Sequence, residues 1–344
     1  MTAIALERLV TGRRSRVRRR RVAIGGLAVL VLALVVAMLC LGETTYPLSD
    51  VLRVLSGEQV KGASFAIGTL RLPRALAGLL AGLAFGAAGA AFQTMLRNPL
   101  ASPDIIGISA GASAAAVWCI LVLQWSGPAV SVGAVLAGVL TAGLIAWLAR
   151  GGEAGGGRLI LIGIGVGAML DSVVSYLLLN ASAWDVPTAV RWLTGSLNGT
   201  RMAEVGPLAI AVVVLGGVLL VLGRDLGALQ FGDQTATALG VRVDAVRVVM
   251  VLAAVGLVAF ATATTGPIAF VAFLAGPIAT RVAGPGTPVL LPAALVGAAL
   301  VLGADLLGQF AFSTRFPVGV VTGILGAPYL IFLLARINRA GGSA

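Results

Sequence analysis

Long apolar runs separated by short polar connections make up most of the chain. A transmembrane helix needs about 20 predominantly apolar residues, and this length divides the sequence into ten candidate spans. The seventh and eighth are separated only by Thr-Thr-Gly-Pro. The pattern predicts an all-α integral membrane protein of about ten transmembrane helices, at residues 22–42, 70–92, 105–125, 128–149, 158–180, 203–222, 246–264, 267–283, 289–309 and 318–335.

Three connections are long enough to form short helices of their own. Residues 43–69 hold an amphipathic pattern opened by Ser49 or Asp50 as a helix cap. Residues 181–202 hold a second one, with tryptophans suited to the membrane interface. Residues 223–245 predict one or two short helices rather than disorder. With the N-terminus inside, the first two are outer connections and the third is an inner one.

Composition agrees with a membrane protein. Hydrophobic residues make up 59% of the chain and charged residues 11%, against about 25% charged in soluble domains, and the mean hydropathy is +1.04. The net charge of +11 does not indicate nucleic-acid binding. Eight arginines fall within residues 1–21, almost without aromatic residues, directly before an apolar run. This segment predicts a basic cytoplasmic tail that meets membrane lipid, followed by a retained first span.

The charges also predict an orientation. With the N-terminus inside and the spans alternating, 17 of the 24 basic residues lie on inner segments and 7 on outer ones, as the positive-inside rule requires. The tail carries most of this difference. An even number of spans returns the C-terminus to the inside. The predicted organisation is a tail at 1–21, a ten-span domain at 22–336 and a cytoplasmic C-terminal tail at 337–344.

Catalytic chemistry is missing from the sequence. The chain has no phosphate-binding loop motif, no histidine and a single lysine, Lys61. Its two cysteines, Cys40 and Cys119, fall inside separate apolar runs, which predicts neither a disulfide nor a transition-metal site. We therefore expect no catalytic residue, no metal site and no cofactor.

Two acidic residues interrupt the apolar runs. Asp171 shares a predicted helix face with Ser172 and Ser175; this face either lines a pathway or forms hydrogen bonds between helices. Asp305 lies near the outer end of the ninth span. Neither carboxylate has an expected basic partner within a span, and two isolated carboxylates make a poor proton relay. This disfavours ion-coupled transport, and the missing catalytic motifs disfavour an intramembrane enzyme.

Two motifs border the second span. Arg71 and Arg74 open it on the outer side and lie on one helix face; they either anchor the helix among lipid headgroups or accept carboxylates from an external protein. Residues 96–113 follow it, where two prolines end one helix and set the next. Ser102 or Asp104 is available there as a cap. Glycines in the second span and in residues 96–113 predict close helix packing. They are Gly78, Gly82, Gly86, Gly107 and Gly111.

The residues from about 45 onward resemble the FecCD-type permeases of type II ABC importers, the membrane subunits for iron–siderophore, haem and cobalamin uptake. The resemblance rests on ordered motifs: RLPR, residues 77–113, WLTGSL, FGDQTATALGV, GPIAFVAFLAGPIATR, GADLLGQ and FPVGVVTGILGAPYLIFLL. It implies a conduit between two permease chains.

The resemblance also implies residue roles. Arg71 and Arg74 match outer arginines that receive acidic residues of an external binding protein. A third such arginine matches Gln309 in position, and Arg315 is the nearby candidate. The inner gate falls on Asn98, Pro99 and Leu100. The helices that couple to the ATPase fall on Gly232, Asp233, Ala236, Leu239 and Gly240.

The implied system sits in the bacterial inner membrane and carries a ferric siderophore. Ala275–Pro277 reads AGP where many members have APH, which favours a siderophore over haem or cobalamin, the alternative substrates. The implied partners are a second permease chain in a heterodimer or homodimer, two ATPase subunits, an extracytoplasmic siderophore-binding protein and membrane lipid, with no nucleic acid.

Overall fold

A computed structural model describes residues 3–99, 101–103, 107–149, 155–284 and 288–341, with side chains described at 12–99, 101–103, 107–149, 158–284 and 288–332. All regular secondary structure in these ranges is helical. The helices are α1 (Ala3–Cys40), α2 (Leu48–Leu55), a π-helical segment (Phe65–Arg71), α3 (Leu72–Met95), α4 (Ile108–Leu121), α5 (Pro128–Leu148), α6 (Gly155–Leu179), α7 (Val186–Leu193), α8 (Met202–Val221), α9 (Gly223–Leu229), α10 (Asp233–Ala238), α11 (Val243–Thr265), α12 (Val271–Ala283), α13 (Leu290–Phe310) and α14 (Val318–Gly341).

Ten of these helices correspond to the ten predicted spans. Seven are long and apolar enough to cross a membrane, and three shorter apolar helices complete the set, at Ile108–Leu121, Val271–Ala283 and Val318–Phe332. The short helices predicted in the connections are α2, α7 and the pair α9 and α10. The all-α membrane fold is confirmed.

Several predicted boundaries are wrong. The helix of the first span starts well before residue 22, because α1 runs unbroken for 38 residues from Ala3. The second span begins earlier than predicted, at Phe65, since the π-helical segment leads directly into α3. The eighth span has only 13 helical residues, because the chain leaves α11 at Gly266 and turns through Phe270, whose φ is 64°, before α12 starts.

The cap predicted for α2 is also wrong. α2 begins after Pro47 without a side-chain cap, so Ser49 and Asp50 lie inside its first turn. α4 is preceded by Gly107, whose φ of 70° is a left-handed conformation suited to glycine. Ser102 therefore does not cap it, and Asp104 lies outside the described residues.

Glycines bring α3 and α13 together at the centre of the bundle. α3 and the π-helical segment form the most buried span, with 78% of its most apolar stretch buried. A Cβ added at Gly82 would lie 2.5 Å from the Cα of Ala298 on α13, and one added at Gly86 would collide with the carbonyl oxygen of Ala293. The predicted glycine stripe therefore packs helices within this chain. Gly111 meets Thr141 of α5 in the same way.

The bundle has two distinct ends. We call one the tail end, where Arg19 of α1 donates a 2.9 Å hydrogen bond to the carbonyl oxygen of Arg281 at the end of α12. We call the other the opposite end, where α1 finishes at Cys40. α6 is the least covered span, with 11% of its apolar stretch buried, so most of its surface faces away from this chain.

Candidate functional site

The three arginines predicted for docking meet at the opposite end. They border one recess of about 320 Å³, which we call the arginine recess. Acidic and amide groups share it, so each guanidinium has partners within the chain. The polar side chains that line it are Glu43, Thr44, Tyr46, Arg71, Arg74, Asp305, Gln309 and Arg315.

Arg74 is held by a buried carboxylate. Its Nε and Nη2 donate to the two carboxylate oxygens of Asp305, at 2.8 and 2.7 Å. The Asp305 side chain is 1% exposed and that of Arg74 is 17% exposed. Nη1 of Arg74 donates to Oδ1 of Asn198, and Gln309 donates to Asp305 at 3.3 Å. The expectation that Asp305 lacks a basic partner is wrong, because the partner comes from the second span.

Arg71 supports the end of the first span. Its Nη1 donates to the carbonyl oxygens of Leu39 and Cys40, each at 2.9 Å, and its Nη2 donates to that of Thr44 at 2.6 Å. The last carbonyls of a helix have no partner within the helix, so Arg71 satisfies these at the end of α1. Its guanidinium carbon also lies 4.9 Å from the ring centroid of Tyr46.

Arg315 is the most accessible of the three. Its side chain is 60% exposed, and it pairs at 2.6 Å with Glu43, which is 81% exposed. Exposed ion pairs of this kind exchange readily with other partners because water already competes for them. An incoming carboxylate can therefore reach Arg315 without breaking a buried contact.

A larger cavity of about 700 Å³ opens at the tail end between α3 and α12, and we call it the tail-end cavity. Asn98 and Pro99 of the predicted gate line it, whereas Leu100 lies outside the described residues. Gln93 donates a 2.9 Å hydrogen bond to the carbonyl oxygen of Phe273 across the two helices. A side chain at Gly276 would collide with Oε1 of Gln93, so the two helices are close here.

The residues predicted for coupling form a compact helix pair at the same end. Gly232 has a φ of 104° and allows the sharp turn between α9 and α10. Asp233 is the first residue of α10, and Ala236 in the same helix is fully buried. Gly240, with a φ of 84°, ends it.

Two large apolar side chains of this pair point away from the chain. Phe231 is 75% exposed and Leu239 is 66% exposed. They lie among polar residues at a helix end rather than on the apolar flank of a long span. Exposed apolar groups rimmed by polar ones indicate a protein-binding surface.

The polar face of α6 is exposed as well. Asp171, Ser172 and Ser175 all lie on the surface of this chain. The serine hydroxyls donate to the carbonyl oxygens one turn earlier, Ser172 to Ala168 at 2.8 Å and Ser175 to Asp171 at 2.9 Å. Among the described residues the carboxylate of Asp171 has no hydrogen-bonding partner, so the face is open to whatever covers α6.

Sequence reasoning missed Arg97, the residue that joins the two features of the tail end. It donates from Nε to the carbonyl oxygen of Leu229 at 3.1 Å and from Nη2 to Asp233 at 3.0 Å. Arg247 of α11 shares the same carboxylate at 3.2 Å. The available signal was the position of Arg97 directly before the predicted gate.

The sequence pattern of the FecCD transport family matches residues 29–336. Two relatives from Escherichia coli (strain K12) are ferric enterobactin transport system permease proteins. FepG is 41% identical over 87% of this chain and 91% of its own length. FepD is 37% identical over 94% of this chain and 97% of its own length. A cobalamin import system permease protein, BtuC of Halobacterium salinarum, is 36% identical over 79% of this chain and 74% of its own length.

A solved structure shares the fold. It is described as an inward-facing conformation of a metal-chelate type ABC transporter, and it superposes with a TM-score of 0.80 at 25% identity, covering 91% of this chain and 98% of that one. The family pattern, the relatives and the fold agree over nearly the whole length. The chain therefore belongs to the FecCD transport family and is a multi-pass membrane permease of the ABC-importer type.

Proposed function

We propose that the chain is one permease subunit of an importer that carries a ferric siderophore across the bacterial inner membrane. The observation that carries the proposal is the similarity to two permeases named for ferric enterobactin, each over more than four-fifths of this chain. The tail end, with its many arginines, faces the cytoplasm.

The pathway lies between two permease chains. The exposed polar face of α6, with Asp171, Ser172 and Ser175, supports this placement, because a polar face on a span needs a wet cavity or a partner. Two different permeases of one system in the same organism are both similar to this chain. This favours a heterodimer over a homodimer.

The arginine recess receives the extracytoplasmic binding protein. Arg71, Arg74 and Arg315 form its cationic groups, and acidic side chains of the binding protein meet them there. Arg315 makes the first contact because it is exposed, while the inner two set the shape of the recess. Arginine suits this role because its planar fork binds carboxylates in a bidentate way.

Separate ATPase subunits supply the energy at the tail end. They dock on α9 and α10, where the exposed Phe231 and Leu239 support a protein contact. The coupling residues Gly232, Asp233, Ala236, Leu239 and Gly240 pass the movement of this pair to Asn98, Pro99 and Leu100, which close the pathway. Rigid-body movement of short helices is a common means of such transmission.

The alternative cargo is haem or cobalamin, and the similarity to a cobalamin permease keeps it in view. Ion-coupled secondary transport is disfavoured by geometry. Asp305 is held in an ion pair with Arg74, and Asp171 is the one other carboxylate on a described span that lies outside the first turn of its helix. A single carboxylate does not make a relay across a membrane.

Uptake of radiolabelled iron chelates by a strain lacking this gene tests the proposal. Ferric siderophore uptake should be lost on deletion and restored by the gene. It should stop when ATP is depleted and persist when the proton gradient alone is collapsed. Uptake that follows the gradient would contradict the ATP-driven mechanism, and restoration of haem or cobalamin uptake alone would replace the substrate.

A further inference from the structure

We propose that Arg97 is a positioning residue that ties the gate loop, here Asn98 and Pro99, to the helix pair α9 and α10. When the ATPase moves α9 and α10, Arg97 passes this movement directly to the gate loop, without involving the long spans. This inference rests on the proposed function, because it assigns a route between two of its parts.

The backbone at Arg97 supports a role for its side chain. The turn that ends α3 has hydrogen bonds from Arg97 N to the Thr94 carbonyl at 3.2 Å and from Asn98 N to the Gln93 carbonyl at 3.0 Å. This pattern places a left-handed residue after the helix, which is usually glycine. Arg97 adopts it with a φ of 50°. A strained position occupied by a long side chain indicates that the side chain is needed there.

The guanidinium of Arg97 donates hydrogen bonds to both short helices, at the turn between them. Leu229, whose carbonyl oxygen it contacts at 3.1 Å, is the last residue of α9. Asp233, which it contacts at 3.0 Å, is the first residue of α10. One side chain therefore contacts both helices of the pair. It should follow a movement of the two helices together rather than the rotation of either one.

The next two residues of the chain border the tail-end cavity. Arg97, Asn98 and Pro99 line it together with Gln230, which follows Leu229. Because Asn98 directly follows Arg97, a displacement of the guanidinium acts on the gate loop through the Arg97 side chain and one peptide bond. No other ion pair between the described residues joins α9 or α10 to the loop that follows α3.

Because the ion pair between Arg97 and Asp233 is exposed, its effect on transport can be measured without a large change in stability. The side chains of Arg97 and Asp233 are 47% and 52% exposed, and ion pairs in this setting add little to the free energy of unfolding. Arg247 offers a matched control. It pairs with the same carboxylate at 3.2 Å and is 38% exposed, but it belongs to α11 and not to the gate loop.

The test compares Arg97→Gly with Arg247→Gln in the full transporter. The chain is co-expressed with its partner permease, ATPase and binding protein and placed in liposomes. ATP hydrolysis, radiolabelled ferric siderophore imported per ATP, and the unfolding temperature are measured. Glycine fits the left-handed turn, so Arg97→Gly should fold and hydrolyse ATP normally while importing on the order of tenfold less chelate per ATP. Arg247→Gln should import close to the wild-type amount.

Arg97→Lys provides a second variant that keeps the charge. Its ammonium keeps the charge but lacks the fixed pair of N–H directions with which Arg97 meets Leu229 and Asp233. Import per ATP should therefore fall between those of the wild type and Arg97→Gly. Wild-type import per ATP in a folded Arg97→Gly transporter would refute the link. Equal losses in Arg97→Gly and Arg247→Gln would also refute it, since both would then act through the charge of Asp233. A wild-type assembly that imports no chelate with ATP would instead overturn the proposed function.

Discussion

Arg74 and Asp305 form a bidentate ion pair between the second and ninth spans, with donor–acceptor distances of 2.8 and 2.7 Å. The carboxylate is buried, and Arg74 is the cation that compensates it. Removing one partner of such a pair leaves the other buried and uncompensated, which costs about 3–5 kcal/mol. The pair therefore fixes α3 against α13 at the end where the arginine recess opens.

We predict that Asp305→Ala lowers the stability of the protein by about 3 kcal/mol, the lower end of that range because Arg74 stays partly exposed. Thermal or denaturant unfolding in detergent measures the change. The double variant Arg74→Met with Asp305→Leu should recover most of the stability, since an apolar pair of similar volume needs no charge compensation. A double variant as unstable as Asp305→Ala would show that the charges are required for another reason.

Docking of the binding protein provides the second prediction. Arg315→Glu should weaken binding of the extracytoplasmic protein, because it places a carboxylate beside Glu43 where acidic partners approach. Arg71 and Arg74 are less suitable for this test, since both guanidinium groups also hold the fold. Binding of the purified proteins, measured at two salt concentrations, gives the effect, which should shrink as salt rises.

Glu43→Gln is the matched control for Arg315→Glu. It frees Arg315 from its exposed partner without reversing any charge in the recess. Docking should be unchanged or tighter. Weaker docking of Glu43→Gln, or unchanged docking of Arg315→Glu, would remove Arg315 from the contact.

The spans could be predicted from sequence because each one is a local property. A run of about 20 apolar residues predicts a span without reference to the rest of the chain. The small connecting helices likewise have their own amphipathic pattern. The ends of the helices were less predictable. α1 continues through the basic tail because arginine is a good helix former, and α4 starts at Gly107 because a left-handed glycine makes the turn without a side-chain cap.

The pairs that define the candidate sites could not be predicted in the same way. Arg74 and Asp305 are 231 residues apart, and Arg97 and Asp233 are 136 apart. Nothing in the local pattern around Asp305 indicates which arginine reaches it. The role of Arg97 could not be predicted for a further reason. Its left-handed backbone conformation follows from the turn after α3, which the sequence pattern does not define.

Close packing of α3 against α13 gives the third prediction. Gly86→Ala should destabilise the protein by about 1–3 kcal/mol, because the added Cβ meets the backbone of Ala293, which cannot move aside cheaply. Gly303→Ala on α13 is the control, since nothing lies within 4 Å of its added Cβ. It should be neutral or stabilise by up to about 1 kcal/mol through helix propensity. Unfolding temperatures of the two variants test this directly, and equal values would contradict the close contact.

The exposed apolar residues of the helix pair give the last prediction. Leu239→Ser should lower the affinity of the permease for its ATPase subunit, because Leu239 is 66% exposed and free to enter a protein contact. Full burial of a leucine is worth about 1.5–3 kcal/mol, so the dissociation constant should rise by roughly tenfold or more. Leu226→Ser on α9 is the contrasting variant. Leu226 is only 3% exposed, so its replacement should lower the unfolding temperature of the chain, whereas Leu239→Ser should leave it unchanged. Undiminished ATPase binding by Leu239→Ser would move the contact away from the end of α10.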